Sequence, residues 1–139
     1  MSGTYVPKLE WLVLDWPRAC LEVGALALQR CDACGRWRHP PRRFCAECGS
    51  SASSFEPVEG TGTVLSLAVS HRSLDPGWQA EVPYATLVVQ LVEGPRVLAA
   101  TKASPGEVGI GAAVRCSVEP RSDDFVLVWA EPATGTTAD

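Results

Sequence analysis

Cys31-Asp32-Ala33-Cys34-Gly35 and Cys45-Ala46-Glu47-Cys48-Gly49 are two Cys-x-x-Cys pairs, each followed by Gly, with ten residues between the pairs. A turn of this kind places two thiolates on one ion, and the following Gly accepts the positive φ that the turn requires. Four thiolates form a closed tetrahedral shell around zinc at about 2.3 Å, whereas a catalytic zinc keeps one position open. The expectation is therefore one structural Zn²⁺ held by Cys31, Cys34, Cys45 and Cys48 in a zinc ribbon, with the segment from Gly35 to Phe44 returning the second pair to the first. Iron is the alternative that the same ligand set permits. Two disulfides do not suit a reducing compartment, and a thioredoxin-type redox pair needs a βαβ pattern that this sequence lacks. The other two thiols, Cys20 and Cys116, sit among apolar residues and read as small core side chains.

Downstream of this unit the pattern turns to strands. Gly62–His71, Tyr84–Glu93, Arg96–Thr101, Ala113–Glu119 and Phe125–Glu131 are each rich in Val, Leu or Ala and bounded by Gly, Pro, Asp or Ser. Glu93-Gly94-Pro95 predicts a tight hairpin between the second and third. Five short strands at this spacing predict a small Greek-key barrel, the OB-fold, with no helix among them beyond one turn at Pro105–Val108. Gly60-Thr61-Gly62-Thr63 leads into a strand, and Gly109-Ile110-Gly111 lacks both Lys and a following helix. They read as bulge and turn, not as phosphate loops.

Upstream, Lys8–Trp16 is apolar without a clear period. Pro17 suits a first helical turn and Gly24 a left-handed terminus, which predicts about two turns of helix between them. Leu26 and Leu28 then alternate with Ala27 and Gln29 as a strand leading into Cys31. The chain is thus expected to be mainly β. An N-terminal arm and short helix (1–28) and a four-cysteine zinc ribbon (29–56) precede a five-stranded OB-fold (57–132), and a disordered tail (133–139) follows.

Of 139 residues, 46% are hydrophobic, too many for intrinsic disorder. No apolar run approaches a membrane span, and no signal peptide is visible, so the expected compartment is cytoplasmic. The three segments 1–28, 29–56 and 57–139 carry net charges of −1, +2 and −5, so only the middle one attracts anions. There Arg36, Arg38, Arg42 and Arg43 crowd the ribbon around Trp37. They read either as a solvated face balancing a metal centre of net charge −2 or as a contact for a partner or an anion. Trp11 and Trp16, in the apolar arm, and Trp78, in the long connection Ser70–Pro83, are candidate partner anchors. His39 and His71 lie in different segments, neither beside a nucleophile, and no catalytic constellation is evident.

Several features in this order resemble the DUF35 family. They are Leu28-Gln29-Arg30-Cys31, a ribbon containing Pro40-Pro41-Arg42, Cys48-Gly49-Ser50, Gly60-Thr61-Gly62-Thr63-Val64, Glu81-Val82-Pro83-Tyr84 and Val108-Gly109-Ile110-Gly111. The similarity covers about residues 16–131. It implies a rubredoxin-like zinc ribbon joined to an OB-fold, and an accessory subunit that forms hetero-oligomers with a thiolase-like enzyme of acyl-CoA metabolism. The implied partners are thiolases, acyltransferases or the lipid-transfer-protein-like aldolases of steroid side-chain degradation, with a possible acyl-CoA contact. Where the family often has an aromatic-rich Phe-Trp-x-x-Leu helix, this chain has Trp16-Pro17-Arg18-Ala19-Cys20-Leu21. The competing reading is a single-stranded nucleic-acid binder, because ribbons and OB-folds both serve that purpose. A barrel segment of −5 is a poor match for a polyanion.

Overall fold

A computed structural model describes residues 12–133. Trp11 and residues 134–139 of the expected tail lie outside the described residues. The described residues open with helix α1 (Leu12–Val23), followed by strands β1 (Ala27–Cys31), β2 (Trp37–Arg38) and β3 (Ser53–Pro57). Strands β4 (Thr61–Ser70), β5 (Tyr84–Leu91) and β6 (Arg96–Thr101) follow, then a short helix α2 (Pro105–Val108) and strands β7 (Ala113–Ser122) and β8 (Phe125–Pro132).

The first three strands make a small antiparallel sheet in the order β2-β1-β3. The last five close on themselves in the order β4-β5-β6-β8-β7. All their pairings are antiparallel except β6 with β8, as the OB-fold expectation requires. A period-2 pattern fills the interior: Ala85, Leu87, Val89 and Leu91 of β5 are buried in alternation with half-buried neighbours, and β8 repeats this with Val126, Val128 and Ala130. Two glycines allow the barrel to close. A Cβ on Gly62 would stand 2.5 Å from the Gln90 carbonyl oxygen, and one on Gly60, at φ +85°, would stand 2.3 Å from that of Cys116.

The helix differs from the sequence expectation. It already includes Leu12, so that Pro17 lies inside it and not at its first turn. Proline there removes one backbone hydrogen bond. Packing offsets that loss: Pro17 and Cys20 are buried, and Trp16, Ala19 and Leu21 lean on the core. The apolar run Leu12–Trp16 is therefore helical, and the helix ends at Gly24, at φ +71°, as expected. The β1 segment is covered on both faces: Leu26, Ala27 and Leu28 are buried in the cluster shared with α1 and the barrel, and Gln29 is buried against the ribbon's Arg42 and Ser53. A 3-10 helix, Pro76–Glu81, was not expected within the long β4–β5 connection. Asp75 caps it by accepting from the Gly77 N–H at 2.7 Å, a local signal of Asp followed by Pro and Gly.

Candidate metal centre and its surroundings

The two Cys-x-x-Cys turns are near copies of each other. Gly35 donates to the Cys31 carbonyl and Gly49 to that of Cys45, both at 2.9 Å, and both glycines have φ +79°. The amide of Cys31 donates to the Arg36 carbonyl and that of Cys45 to the Ser50 carbonyl, again both at 2.9 Å. Each turn has one inner thiol, Cys31 or Cys45, which is buried, and one outer thiol, Cys34 or Cys48, which is exposed.

Facing each other, the turns bring all four sulfurs within 4.8 Å. Cys31 Sγ lies 3.6 Å from Cys48 Sγ, and Cys34 Sγ lies 3.6 Å from Cys45 Sγ. A tetrahedron with metal–sulfur bonds of ~2.3 Å has edges of roughly 3.8 Å, so the donor set fits one tetrahedral ion, and the separations are far too long for disulfides. Backbone amides favour the thiolate forms of the inner ligands. The Cys34 N–H on the sulfur of Cys31 is the main cause of a pKa lowered to about 6, and the Cys48 and Glu47 amides lower that of Cys45. Among the described residues this is the one cluster of three or more His, Cys, Asp or Glu side chains able to hold a metal.

A buried glutamine fastens the ribbon's connecting loop to β1. Gln29 is 3% exposed; its amide donates to the Arg42 carbonyl at 2.9 Å and to Ser53 Oγ at 3.0 Å, and it accepts from the Arg42 N–H at 2.7 Å. Sequence reasoning placed no role here. The available signal was a polar residue ending an apolar run, two positions before a metal ligand.

The structure divides the arginines. Arg30 lies over the Trp37 ring at 4.7 Å and pairs with Glu56 at 3.3 Å, while Arg36 pairs with Glu47 at 3.4 Å. Arg38 donates to the Arg42 carbonyl at 2.9 Å. Arg42 and Arg43 have no carboxylate partner among the described residues and line a hollow of about 430 Å³ with Leu12, Asp15, Ser51 and Ser53. Trp16 is half-buried, and its indole N–H donates to the Ala27 carbonyl at 2.7 Å. Its ring packs on His39 at 4.8 Å, and burial pushes that imidazole down to about 4. Trp78 lies away from the arginines, packed on Tyr84 at 5.1 Å. His71 is exposed on the β4–β5 connection. Cys20 and Cys116 are buried in the core, and desolvation raises both thiols to about 11.

The family description "ChsH2, rubredoxin-like zinc ribbon domain" matches residues 19–54, and "ChsH2, C-terminal OB-fold domain" matches residues 55–119. The solved "Ltp2-ChsH2(DUF35) aldolase" superposes with a TM-score of 0.78 at 30% identity, over 92% of this chain and 99% of that one. This chain belongs to the ChsH2/DUF35 family. A DUF35 protein of unknown function from Sulfolobus solfataricus shares the fold, with a TM-score of 0.55 at 17% identity over 84% of this chain and 82% of that one. A Thermomonospora curvata protein named "Probable enoyl-CoA hydratase alpha subunit" is 38% identical over 90 residues. That stretch is 64% of this chain and 28% of the relative, so the chain spans little more than a quarter of that protein. No helix among the described residues is long and apolar enough to cross a membrane.

Proposed function

We propose that this chain is a non-catalytic accessory subunit of a thiolase-fold acyl-CoA enzyme, of the aldolase kind, with a ribbon built on one structural zinc. The observation that carries this reading is the match, over almost the whole of both chains, to a chain of the solved "Ltp2-ChsH2(DUF35) aldolase". The chemistry agrees with it. Four thiolates close the metal shell and leave no position for a substrate or an activated water. Of the two histidines, His39 is packed under Trp16 and His71 stands exposed on a loop, so neither is placed as a general base. Arg42 and Arg43 share their hollow with one carboxylate, Asp15, and their guanidinium groups, without a carboxylate partner among the described residues, match the phosphate oxygens of a CoA ester that the enzyme partner holds. The acidic barrel segment speaks against nucleic acid.

The test is to purify the chain alone and together with the thiolase-fold aldolase subunit of its own organism. The expected result is a stable complex, with turnover of acyl-CoA esters by the complex and none by this chain alone. Steady turnover by the isolated chain, or failure of the two proteins to associate, would overturn the proposal.

A further inference from the structure

The outer face of the barrel carries an apolar groove that uses neither the metal cluster nor the free arginines. Alternation along the strands turns Tyr84, Thr86 and Val88 of β5 and Arg96, Leu98 and Ala100 of β6 to the side opposite the core. Val88 pairs with Leu98, and Ala100 lies beside Trp129 of β8. Two hollows share Leu98. One, of about 390 Å³, is lined by Trp16, His39, Pro40, Val88 and Arg96; the other, of about 200 Å³, by Trp78, Tyr84, Thr86, Ala100 and Leu127. Leu98 stands between them 65% exposed, although it occupies the middle of a central strand. An aromatic pair closes each end, Trp16 on His39 and Trp78 on Tyr84.

Charge selects the occupant. Residues 57–139 carry ten acidic side chains, yet none lines either hollow. Arg96 is the single Lys, Arg, Asp or Glu there, and its Nε donates to the neutral Gln90 at 3.2 Å and not to a carboxylate. A second copy of this chain, docked by a two-fold axis, would press Arg96 onto the same carboxylate-free face and strand a buried guanidinium. A nucleic acid would find one arginine on a segment of net charge −5. An apolar segment that carries a carboxylate satisfies both the hollows and the arginine.

We infer that this groove docks an apolar segment of the thiolase-fold partner, seated on both sides of Leu98 with a carboxylate set against Arg96. The inference rests on the accessory-subunit reading above and assigns that reading a surface. The test measures affinity for the same aldolase subunit by titration calorimetry, using the full chain and three variants. Leu98→Glu and Arg96→Glu are each expected to weaken binding about tenfold or more, as truncation at the centre of an interface commonly does. Val92→Glu, at an equally apolar side chain 71% exposed and outside both hollows, is expected to leave affinity within twofold. Melting temperature and bound metal serve as the folding control. If Leu98→Glu does not fold, the exposed Arg96→Glu carries the test alone.

Absence of binding by the wild-type chain would overturn the accessory-subunit reading itself. Wild-type binding that Arg96→Glu and Leu98→Glu leave untouched would overturn the groove assignment only. Sedimentation showing a wild-type dimer that Leu98→Glu dissociates would give the groove to a second copy. Salt-sensitive binding of a labelled oligothymidine, lost in Leu98→Glu, would give it to nucleic acid. Either result overturns the proposal.

Discussion

The ribbon and the barrel are held together by different physics. From residue 31 to residue 59 the fully buried positions are Cys31, Pro41 and Cys45, so the ribbon has almost no apolar interior. The barrel buries Val64, Leu87, Val89, Leu91, Val114, Val126 and Val128 in one cluster. A metal centre substitutes for a core in the first region, while area removed from water stabilises the second. They are nevertheless not independent, because Cys20, Leu26, Ala27 and Leu28, the lead-in to the ribbon, belong to the barrel's cluster. Rigid attachment of the ribbon follows from that shared packing.

The strongest test of this contrast is metal removal. Stripping the ion with a chelator, or replacing any one of the four ligand cysteines by Ser, should cost the ribbon on the order of 10 kcal/mol, the scale of structural zinc in small modules. Hydrogen exchange should show amides between residues 31 and 52 losing protection while β5 and β8 keep theirs. A barrel that unfolds with the ribbon would mean that the shared lead-in makes the two a single cooperative unit. Elemental analysis of the fresh protein should give one equivalent of metal, and its identity distinguishes zinc from iron.

The converse perturbation is smaller. Leu87→Ala empties a fully buried site at the centre of β5 and should cost about 2–5 kcal/mol. Urea unfolding should show the barrel weakened while metal content is unchanged. Loss of the metal at the same midpoint would again indicate a single unit.

The legibility of the two regions in the sequence differed for the same reasons. The ribbon was readable because ligand chemistry fixes both residue type and spacing, and nothing else accounts for two Cys-x-x-Cys-Gly units. Runs rich in Val, Leu or Ala, bounded by Gly, Pro, Asp or Ser, made the barrel readable, to within a few residues at each end. The helix was misplaced because Pro17 is a strong local signal for a first turn, and only tertiary packing of Trp16, Ala19 and Cys20 explains its position inside. Leu98 could not have been singled out at all. An exposed leucine on a central strand looks like any other until the neighbouring hollows and the missing carboxylates are known.

Alkaline pH should separate the regions without mutation. Burial raises Cys20 and Cys116 from 9.0 to about 11, so in that interval the unfolded chain has released both protons and the folded chain has kept them. The protonated thiols therefore contribute stability that is fully present below pH 9 and is lost as pH rises through about 11. The expected loss is roughly 1–3 kcal/mol per thiol. Urea titrations at pH 8 and pH 11 should show it in the wild type, reduced in Cys116→Ala relative to that variant's own value at pH 8. An undiminished pH dependence in Cys116→Ala would assign the loss to other groups.

The smallest effects are expected from the arginines, and they sharpen the contrast between what holds the ribbon and what the ribbon contacts. Arg36 already has a partner in Glu47, but the pair is more than half exposed on both sides, and such pairs contribute little. Arg36→Ala should leave stability within about 0.5 kcal/mol. Arg42 and Arg43 have no carboxylate partner among the described residues, so Arg42→Ala with Arg43→Ala should also leave the fold intact, because Gln29 binds the backbone of Arg42 and not its side chain. Their effect should appear in function instead: a loss of about 1 kcal/mol, roughly fivefold, in assembly with the aldolase subunit or in the complex's KM for a CoA ester. The nucleic-acid reading predicts a different signature, oligonucleotide affinity that falls steeply with salt and a log–log slope reduced by roughly 0.7 for each lost arginine. If the double variant changes neither assembly, KM nor oligonucleotide binding, Arg42 and Arg43 form a solvated face that balances the negative metal centre.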